Sequence, residues 1–236
     1  MRAIAEFAMR GRAYATAISM VAAALPLLGW LSTVIVALVC LRSGVAAGSL
    51  IFLWTLLPVG VAFYFVGDPS PMIALVGTFM MAMLLRQTLS WELVLIASVV
   101  FSAAGALIFE FSAAGILDRF VQFYIDYLAQ VDASVVIDPV QARKLLMGFF
   151  AVGQAFSMVV MLMIARWCQS TLYNLGGFRK EFHQLRLSPA VSGSIVLAMA
   201  VCYMFGDQLG RWLPLLTVPL VFASIGLAHW LMANRE

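Results

Sequence analysis

Residues 145–165 read LLMGFFAVGQAFSMVVMLMIA, and this stretch decides the fold. It contains a single polar amide, Gln154, and no charged side chain, over a length that gives about 31 Å of α-helix. The hydrocarbon core of a bilayer is about 30 Å thick, so an apolar run of this length is typical of a transmembrane helix. The stretch therefore predicts one membrane-spanning helix, and the rest of the chain has to be compatible with a bilayer.

The composition of the 236-residue chain agrees with membrane embedding. Apolar residues make up 64% of it and charged residues only 11%, whereas an ordinary soluble domain is about 25% charged. So few charges exclude a water-soluble monomer, a disordered chain and nucleic-acid binding through a basic face. We predict an all-α polytopic transmembrane helical bundle that forms a single integral membrane domain over residues 1–236.

Apolar segments separated by turn signals predict the membrane-spanning helices. They are Ala13–Leu41, Gly44–Val66, Pro71–Leu85, Leu93–Phe109, Leu145–Ala165, Pro189–Phe205 and Trp212–Met232. The first would be about 44 Å long as one helix, and it contains Pro26 and Gly29. This favours a hairpin of two short helices around Leu25–Leu31, each too short to cross fully unless the bilayer thins. The hairpin gives eight membrane segments; the alternative is seven segments, of which six cross and the short Pro71–Leu85 does not.

The distribution of charge predicts which loops face the cytoplasm. Segment 166–188 carries Arg166, Arg179, Lys180 and Arg186 against Glu181 alone, which predicts a cytoplasmic loop. Segment 110–144 has an excess of acidic residues and is predicted to be external. With either arrangement of the segments, this orientation places both termini in the cytoplasm. We expect a multi-pass protein of the bacterial cytoplasmic (inner) membrane.

Two further segments are predicted to be helices that lie along a surface. In residues 1–12, Arg2, Glu6 and Arg10 share one helical face, which predicts a short interfacial helix. The apolar run after it is too long for a signal peptide, so we expect residues 1–12 to belong to the mature protein. Ile116–Gln130 has one apolar and one polar face. It is predicted to lie on the outer surface or to fold over the mouth of a cavity.

Pairs of small residues four positions apart predict close helix packing. They are Ala13 and Ala17, Gly44 and Gly48, and Ala151 and Ala155. Such pairs let two helix backbones approach closely in a membrane.

No pattern of residues indicates catalysis or metal binding. The cysteines Cys40, Cys168 and Cys202 are scattered through apolar runs, as expected for small buried side chains. His183 and His229 are far apart and have no Cys, Asp or Glu at ligand spacing, and no nucleophile motif or phosphate-binding loop is present. We predict a protein that is not an enzyme, with no catalytic residue, metal or cofactor.

The predicted cytoplasmic loop contains the clearest interaction pattern. Gly176-Gly177 can end a helix, and Phe178 and Phe182 then share one face of a short helix that also carries basic residues. The helix could rest on anionic lipid headgroups or bind a partner protein. The candidate partner-binding residues are Gly176, Gly177, Phe178, Arg179, Phe182 and Arg186.

The stretch NLGGFRKEFHQLRL at 174–187, directly before a proline-started span, resembles a loop of the YybS-like family. The opening Met1–Arg12 resembles that family as well. These are uncharacterised bacterial multi-pass membrane proteins, more distantly similar to the substrate-binding subunits of energy-coupling-factor vitamin transporters. The resemblance implies a helical bundle with a pocket near the outer face. It also implies a separate transmembrane subunit and ATPases on other chains as partners.

These observations leave two functions open. A solute-binding or transport subunit predicts an outer-side cavity lined by Trp54, Gln154 and aromatic residues and covered by Ile116–Gln130. A non-transporting scaffold or assembly protein, acting through the Gly176–Leu187 loop, predicts a filled bundle. Because ligand pockets measure about 300–1,000 Å³, a cavity of that size is the feature that distinguishes the two.

Overall fold

The structure is a computed structural model that describes residues 1–131 and 137–233, and all regular structure in these ranges is helical. The helices are α1 (Arg2–Ala8), α2 (Arg12–Ala24), α3 (Gly29–Ser43), α4 (Val45–Val66), α5 (Ser70–Thr88), α6 (Trp91–Ser112), α7 (Ala114–Val131), α8 (Pro139–Tyr173), α9 (Gly177–His183), α10 (Pro189–Met204), α11 (Gly206–Leu209), α12 (Leu213–Leu216) and α13 (Val218–Ala233), with a 3₁₀ turn over Gly210–Trp212.

In the part of the chain that the structure describes, five helical segments are long and apolar enough to cross a membrane. They are Val45–Val66, Ser70–Thr88, Trp91–Ser112, Pro139–Tyr173 and the continuous segment Gly206–Ala233. Two shorter helices, α3 and α10, are apolar as well. The protein is therefore a multi-pass helical membrane protein, as its composition predicts.

The N-terminal apolar run is divided into two helices, as predicted. α2 ends at Ala24, and α3 begins at Gly29 and packs back against α2. Pro26 lies in the turn between them, where its missing N–H and fixed φ prevent the helix from continuing. The two helices contain 13 and 15 residues, about 20 and 22 Å. Both are thus shorter than the hydrocarbon core of a bilayer.

The segment predicted as Pro71–Leu85 forms a longer helix than its apolar run indicates. α5 covers 19 residues, from Ser70 to Thr88, which gives about 28 Å. The polar residues Arg86, Gln87 and Thr88 extend it beyond the apolar run, and it packs against α3, α6 and α8. The length of α5 is therefore compatible with a helix that crosses the membrane.

The core of the bundle is built around α3 and α8. Every residue of α3 from Leu31 to Leu41 is buried, because α2, α4, α5 and α8 all pack against it. One stripe of α8 is fully buried, and it consists of Met147, Ala151, Ala155, Met158 and Leu162. The four- and three-residue spacing of this stripe is that of one helical face.

The pairs of small residues differ in how they pack. Ala151 and Ala155 lie in the core, and Gly48 approaches α3 so closely that a Cβ there would lie 2.7 Å from Cβ of Cys40. Ala13 and Ala17 are instead exposed, and α2 packs through Ala15, Ser19 and Ala22. The prediction of close packing is therefore wrong for the first pair.

The loops predicted to be cytoplasmic meet at one end of the bundle, which we call the basic end. Arg86 and Gln169 both donate hydrogen bonds to the carbonyl oxygen of Leu41, the latter at 3.3 Å. The guanidinium of Arg42 lies 4.0 Å from the centre of the Tyr173 ring. The ends of α3, α5 and α8 are thus held together by basic and amide side chains.

The opposite end, which we call the acidic end, collects residues from segments predicted to be external. Arg211 pairs with Glu110 at 3.1 Å, and Arg143 pairs with Asp118. Nζ of Lys144 donates to the carbonyl oxygen of Asp207 at 2.6 Å. The separation of the two sets of loops agrees with the alternating helix directions that the charge pattern predicts.

The predicted surface helices are both present as helices. α1 places Arg2 and Glu6 in an ion pair at 2.8 Å, as their i, i+4 spacing predicts. α7 covers the predicted amphipathic segment and buries Leu117 and Val121 where it packs against α8.

Candidate functional site

A cavity of about 720 Å³ lies at the acidic end, beside the turn between α2 and α3. Its walls are formed by that turn, the second half of α4 and the first turns of α5, and Met161 of α8 also contributes. Most of the lining is apolar. The indole ring of Trp30 provides an aromatic wall, and Asp68 is the one charged residue among the lining residues that the structure describes.

The cavity follows from a mismatch in helix length. α4 contains 22 residues, about 33 Å, whereas α2 and α3 are about 20 and 22 Å long. Along the bundle, the α2–α3 turn therefore lies about 10 Å below the end of α4. The space above the turn remains open between α4 and α5.

Three polar side chains give the apolar cavity its chemistry. Oδ1 of Asp68 accepts a hydrogen bond from the backbone N–H of Ser70 at 2.9 Å, and this bond orients the carboxylate. The hydroxyls of Ser32 and Thr33 donate to the carbonyl of Gly29 at 2.6 and 3.4 Å. Since their hydrogens are used locally, the oxygens remain as acceptors. The cavity lining therefore includes one carboxylate and two acceptor oxygens.

The two residues predicted to bind substrate lie outside this cavity. Trp54 is on the outer surface of α4 with 47% of its area exposed. Gln154 is buried in α8, where its Nε2 donates to the carbonyl of Ser70 at 3.2 Å and ties α8 to the start of α5. The predicted lid, α7, contributes no lining residue in the part of the chain that the structure describes.

At the basic end, the predicted partner-binding loop is docked onto its own chain. Glu181 of α9 forms a two-point ion pair with Arg166, in which Nε of Arg166 lies 2.9 Å from Oε2. The indole N–H of Trp91 also points at Oε2, at 3.5 Å. The backbone N–H of Phe178 donates to Oγ of Ser170 at 2.9 Å. Side chains of α6 and α8 thus fix the position of α9.

The two phenylalanines of the loop stack on each other within the protein. The ring centres of Phe178 and Phe182 are 5.8 Å apart, and Phe178 also meets the edge of Trp91 at 6.3 Å. Phe182 packs against His229 of α13, with ring centres 5.6 Å apart. Both rings are half-buried, so the chain itself covers much of the apolar face proposed for a partner or for lipid.

The remaining candidate loop residues are more open. Gly176 has φ of +82°, the left-handed conformation that starts the turn into α9, and Gly177 follows directly. Gly176 and the exposed Arg179 line a second cavity of about 570 Å³ at the basic end, together with Phe178 and Phe182. Arg186 is also exposed and lies further along, beside α10.

Sequence reasoning missed one pairing in this region. His183 and His229 are far apart in the sequence, but the structure places their ring nitrogens 2.7 Å apart. The pKa of His183 is lowered below its usual 6.5, mainly because the ring is partly removed from water and further because His229 and Arg179 are close. No spacing in the sequence predicts this contact, because α9 and α13 come together only in the tertiary structure. In the described ranges, no three His, Cys, Asp or Glu side chains converge as a metal site.

Comparisons of the chain with protein-family models, curated proteins and solved structures find no match. The class of protein is therefore defined by the fold, which is that of a multi-pass helical membrane protein.

Proposed function

We propose that this protein is a membrane-embedded solute-binding or transport component whose site is the cavity at the acidic end. The cavity of about 720 Å³ carries this proposal, since it falls within the range of about 300–1,000 Å³ of known ligand sites. A protein that acts only as a scaffold has no need of such a space. Because the cavity results from the short α2–α3 hairpin, it is a feature of the fold itself.

The proposed solute has an apolar body and a cationic or hydrogen-bond-donating group. The apolar walls, with Trp30 among them, suit the body, and Asp68 suits the polar group. A positive group beside an oriented carboxylate forms the stronger, charge-assisted kind of hydrogen bond. Ser32 and Thr33 of α3 also line the cavity, and their hydroxyl oxygens are acceptors.

The setting of this function follows from the charge pattern and the resemblance. With the basic end in the cytoplasm, the acidic end and its cavity face outward from a bacterial inner membrane. The resemblance to the YybS-like family, and through it to energy-coupling-factor subunits, adds a separate transmembrane subunit and ATPases as partners.

Small molecules retained by the purified protein test this proposal. The protein is purified in parallel with an Ala62→Phe variant, which fills the cavity, and with Ala200→Phe, which adds the same ring to an exposed position of α10. Extracts of all three are compared by mass spectrometry. We expect one or more cationic or donor-bearing solutes in the wild type and in Ala200→Phe but not in Ala62→Phe.

The fluorescence of Trp30 gives a direct readout for any solute recovered in this way. Adding the recovered solute back to the wild-type protein should change its tryptophan fluorescence, and the Trp30→Phe substitution should abolish this change. Asp68→Asn should weaken binding about tenfold or more, as expected for loss of a charge-assisted hydrogen bond. Equal solute content in all three purified proteins would refute the proposal.

A further inference from the structure

α10 is loosely attached to the rest of the bundle. Of its 16 residues only Ile195 and Cys202 are buried, although the helix is apolar nearly throughout. Its neighbours do not close around it, and two apolar grooves flank it, one of about 420 Å³ beside α13 and one of about 250 Å³ beside α6. A gap between two apolar membrane helices is filled by an apolar group, because water has no polar partner there.

The larger groove changes character along its length. Between α10 and α13 it is lined by Leu220, Ala223 and Leu227, which offer contacts suited to an acyl chain. At its basic end it is lined by His183, Arg186 and Trp230. Trp230 is 43% exposed, and a tryptophan in this position is typical of the depth of lipid headgroups.

The charges at the mouth of the groove favour an anion. Arg186 is exposed and forms no ion pair within the described residues. Two carboxylates among the described residues lie close to this loop, and neither lines the groove: Glu181 pairs with Arg166, and Oε1 of Glu92 accepts two hydrogen bonds from Ser188, at 2.9 and 2.6 Å. Among the lining residues that the structure describes, Arg186 is thus a cation with no carboxylate beside it, which favours a negative group at the mouth.

From this combination we infer that the α10–α13 groove is a binding site for one anionic phospholipid. An acyl chain lies along Leu220, Ala223 and Leu227, and the phosphate is bound by Arg186. The exposed Arg179 and Lys180 on the same loop add to the positive potential around the headgroup. Basic pockets between helices on the cytoplasmic side of a membrane are well suited to such lipids. The bound lipid completes the packing of α10.

Native mass spectrometry of the whole protein tests this site. The protein is reconstituted in vesicles of phosphatidylcholine and phosphatidylglycerol in a ratio of about 3:1, then released and analysed with its retained lipids. We expect one retained phospholipid, with the ratio of phosphatidylglycerol to phosphatidylcholine at least about fivefold above the ratio in the vesicle, the effect of one basic side chain near an anionic surface. Arg186→Gln should abolish the headgroup preference, and Arg186→Lys should retain it.

Two further variants separate the groove from general surface charge. Arg12→Gln removes an exposed basic residue of α2, away from the groove, and should leave the preference intact. Ala223→Phe fills the groove and should reduce retention of both lipids.

Equal retention of the two lipids by the wild type would overturn the inference, as would an unchanged preference in Arg186→Gln. A dimer that Ala223→Phe disrupts without changing lipid retention would instead identify a second copy of the chain as the occupant.

Discussion

Nε2 of His183 lies 2.7 Å from Nδ1 of His229, and this contact joins α9 to α13 across 46 positions of the sequence. Two neutral imidazoles satisfy the contact with one N–H donor and one acceptor. The docked position of His183, partly removed from water and close to His229 and Arg179, lowers its pKa and so opposes its protonation. The pair therefore couples the docking of the loop to pH.

We expect the docked loop to loosen as the pH falls from about 7 to about 5. The pKa of His183 is lowered below 6.5 in the folded protein, so the folded state binds this proton more weakly than the unfolded chain. Its stabilising contribution is complete above 6.5 and is lost as the pH falls below that value toward the folded pKa. Amide hydrogen exchange over 177–187 measures the effect. The pH dependence should be flattened in His183→Gln, and an identical profile in this variant would contradict the assignment.

The ion pair of Arg166 and Glu181 should be the main electrostatic contact that holds α9. Glu181→Gln leaves the half-buried Arg166 without its charged partner and weakens the acceptor for Trp91. We expect a loss of about 1–2 kcal/mol in the free energy of unfolding, measured by denaturant titration in mixed micelles. The neighbouring Lys180→Gln changes an exposed side chain and should stay within about 0.5 kcal/mol of the wild type. Equal effects of the two substitutions would contradict this role.

Two glycines of α4 should respond in opposite ways to alanine. A Cβ at position 48 would lie 2.7 Å from Cβ and 2.8 Å from Cα of Cys40, so the helices must move apart. We expect Gly48→Ala to destabilise the protein by about 1–3 kcal/mol. A Cβ at Gly60 meets no atom within 4 Å, and Gly60→Ala should be neutral or stabilising by up to about 1 kcal/mol. Thermal unfolding of both variants in one detergent measures the difference, and a stable Gly48→Ala would rule out the close packing.

Replacement of Leu89 by glycine should stabilise the protein. It ends α5 with φ of +53° and is 75% exposed, so its side chain strains the backbone and makes few contacts. Because glycine adopts this conformation without steric cost, Leu89→Gly should stabilise the protein by about 0.5–1 kcal/mol. Gln87→Gly, in the last helical turn before it, should destabilise by a similar amount. The same unfolding assay compares them, and destabilisation by both would show that the strain is absent.

Labelling of single cysteines in intact cells should place the two ends of the bundle on opposite sides of the membrane. In a background with the three native cysteines replaced, Gln130→Cys at the end of α7 should react with an impermeant maleimide. Gln184→Cys, after α9, should be protected until the cells are opened. Both positions are exposed, so burial does not decide the result. The reverse pattern would overturn the orientation. A label at Ala133 would test the same loop at a position outside the described residues.

The sequence by itself determined the helical membrane fold and many of the helix ends. Asp138 and Ser188 each precede a proline, a pattern typical of a helix start, and their side chains cap α8 and α10 by accepting hydrogen bonds from the backbone N–H groups of Gln141 and Val191 at 3.3 and 3.4 Å. Pro26 and Gly29 predict the break between α2 and α3. These features are local, because a backbone that cannot continue a helix is recognisable from a few neighbouring residues.

Tertiary structure alone decided which faces of the helices are buried and which side chains meet. In a bilayer both the core and the lipid-facing surface are apolar, so hydrophobicity does not distinguish Ala15, which is buried, from Ala17, which is exposed. For the same reason the sequence context of Trp54 and Gln154 does not distinguish a cavity wall from the core or from a lipid-facing surface. The cavity beside Asp68 arises from the unequal lengths of packed helices, and the contact of His183 with His229 arises from the docking of α9 on α13. Both depend on the relative positions of segments that are distant in the chain, and these positions are set by packing rather than by any local pattern.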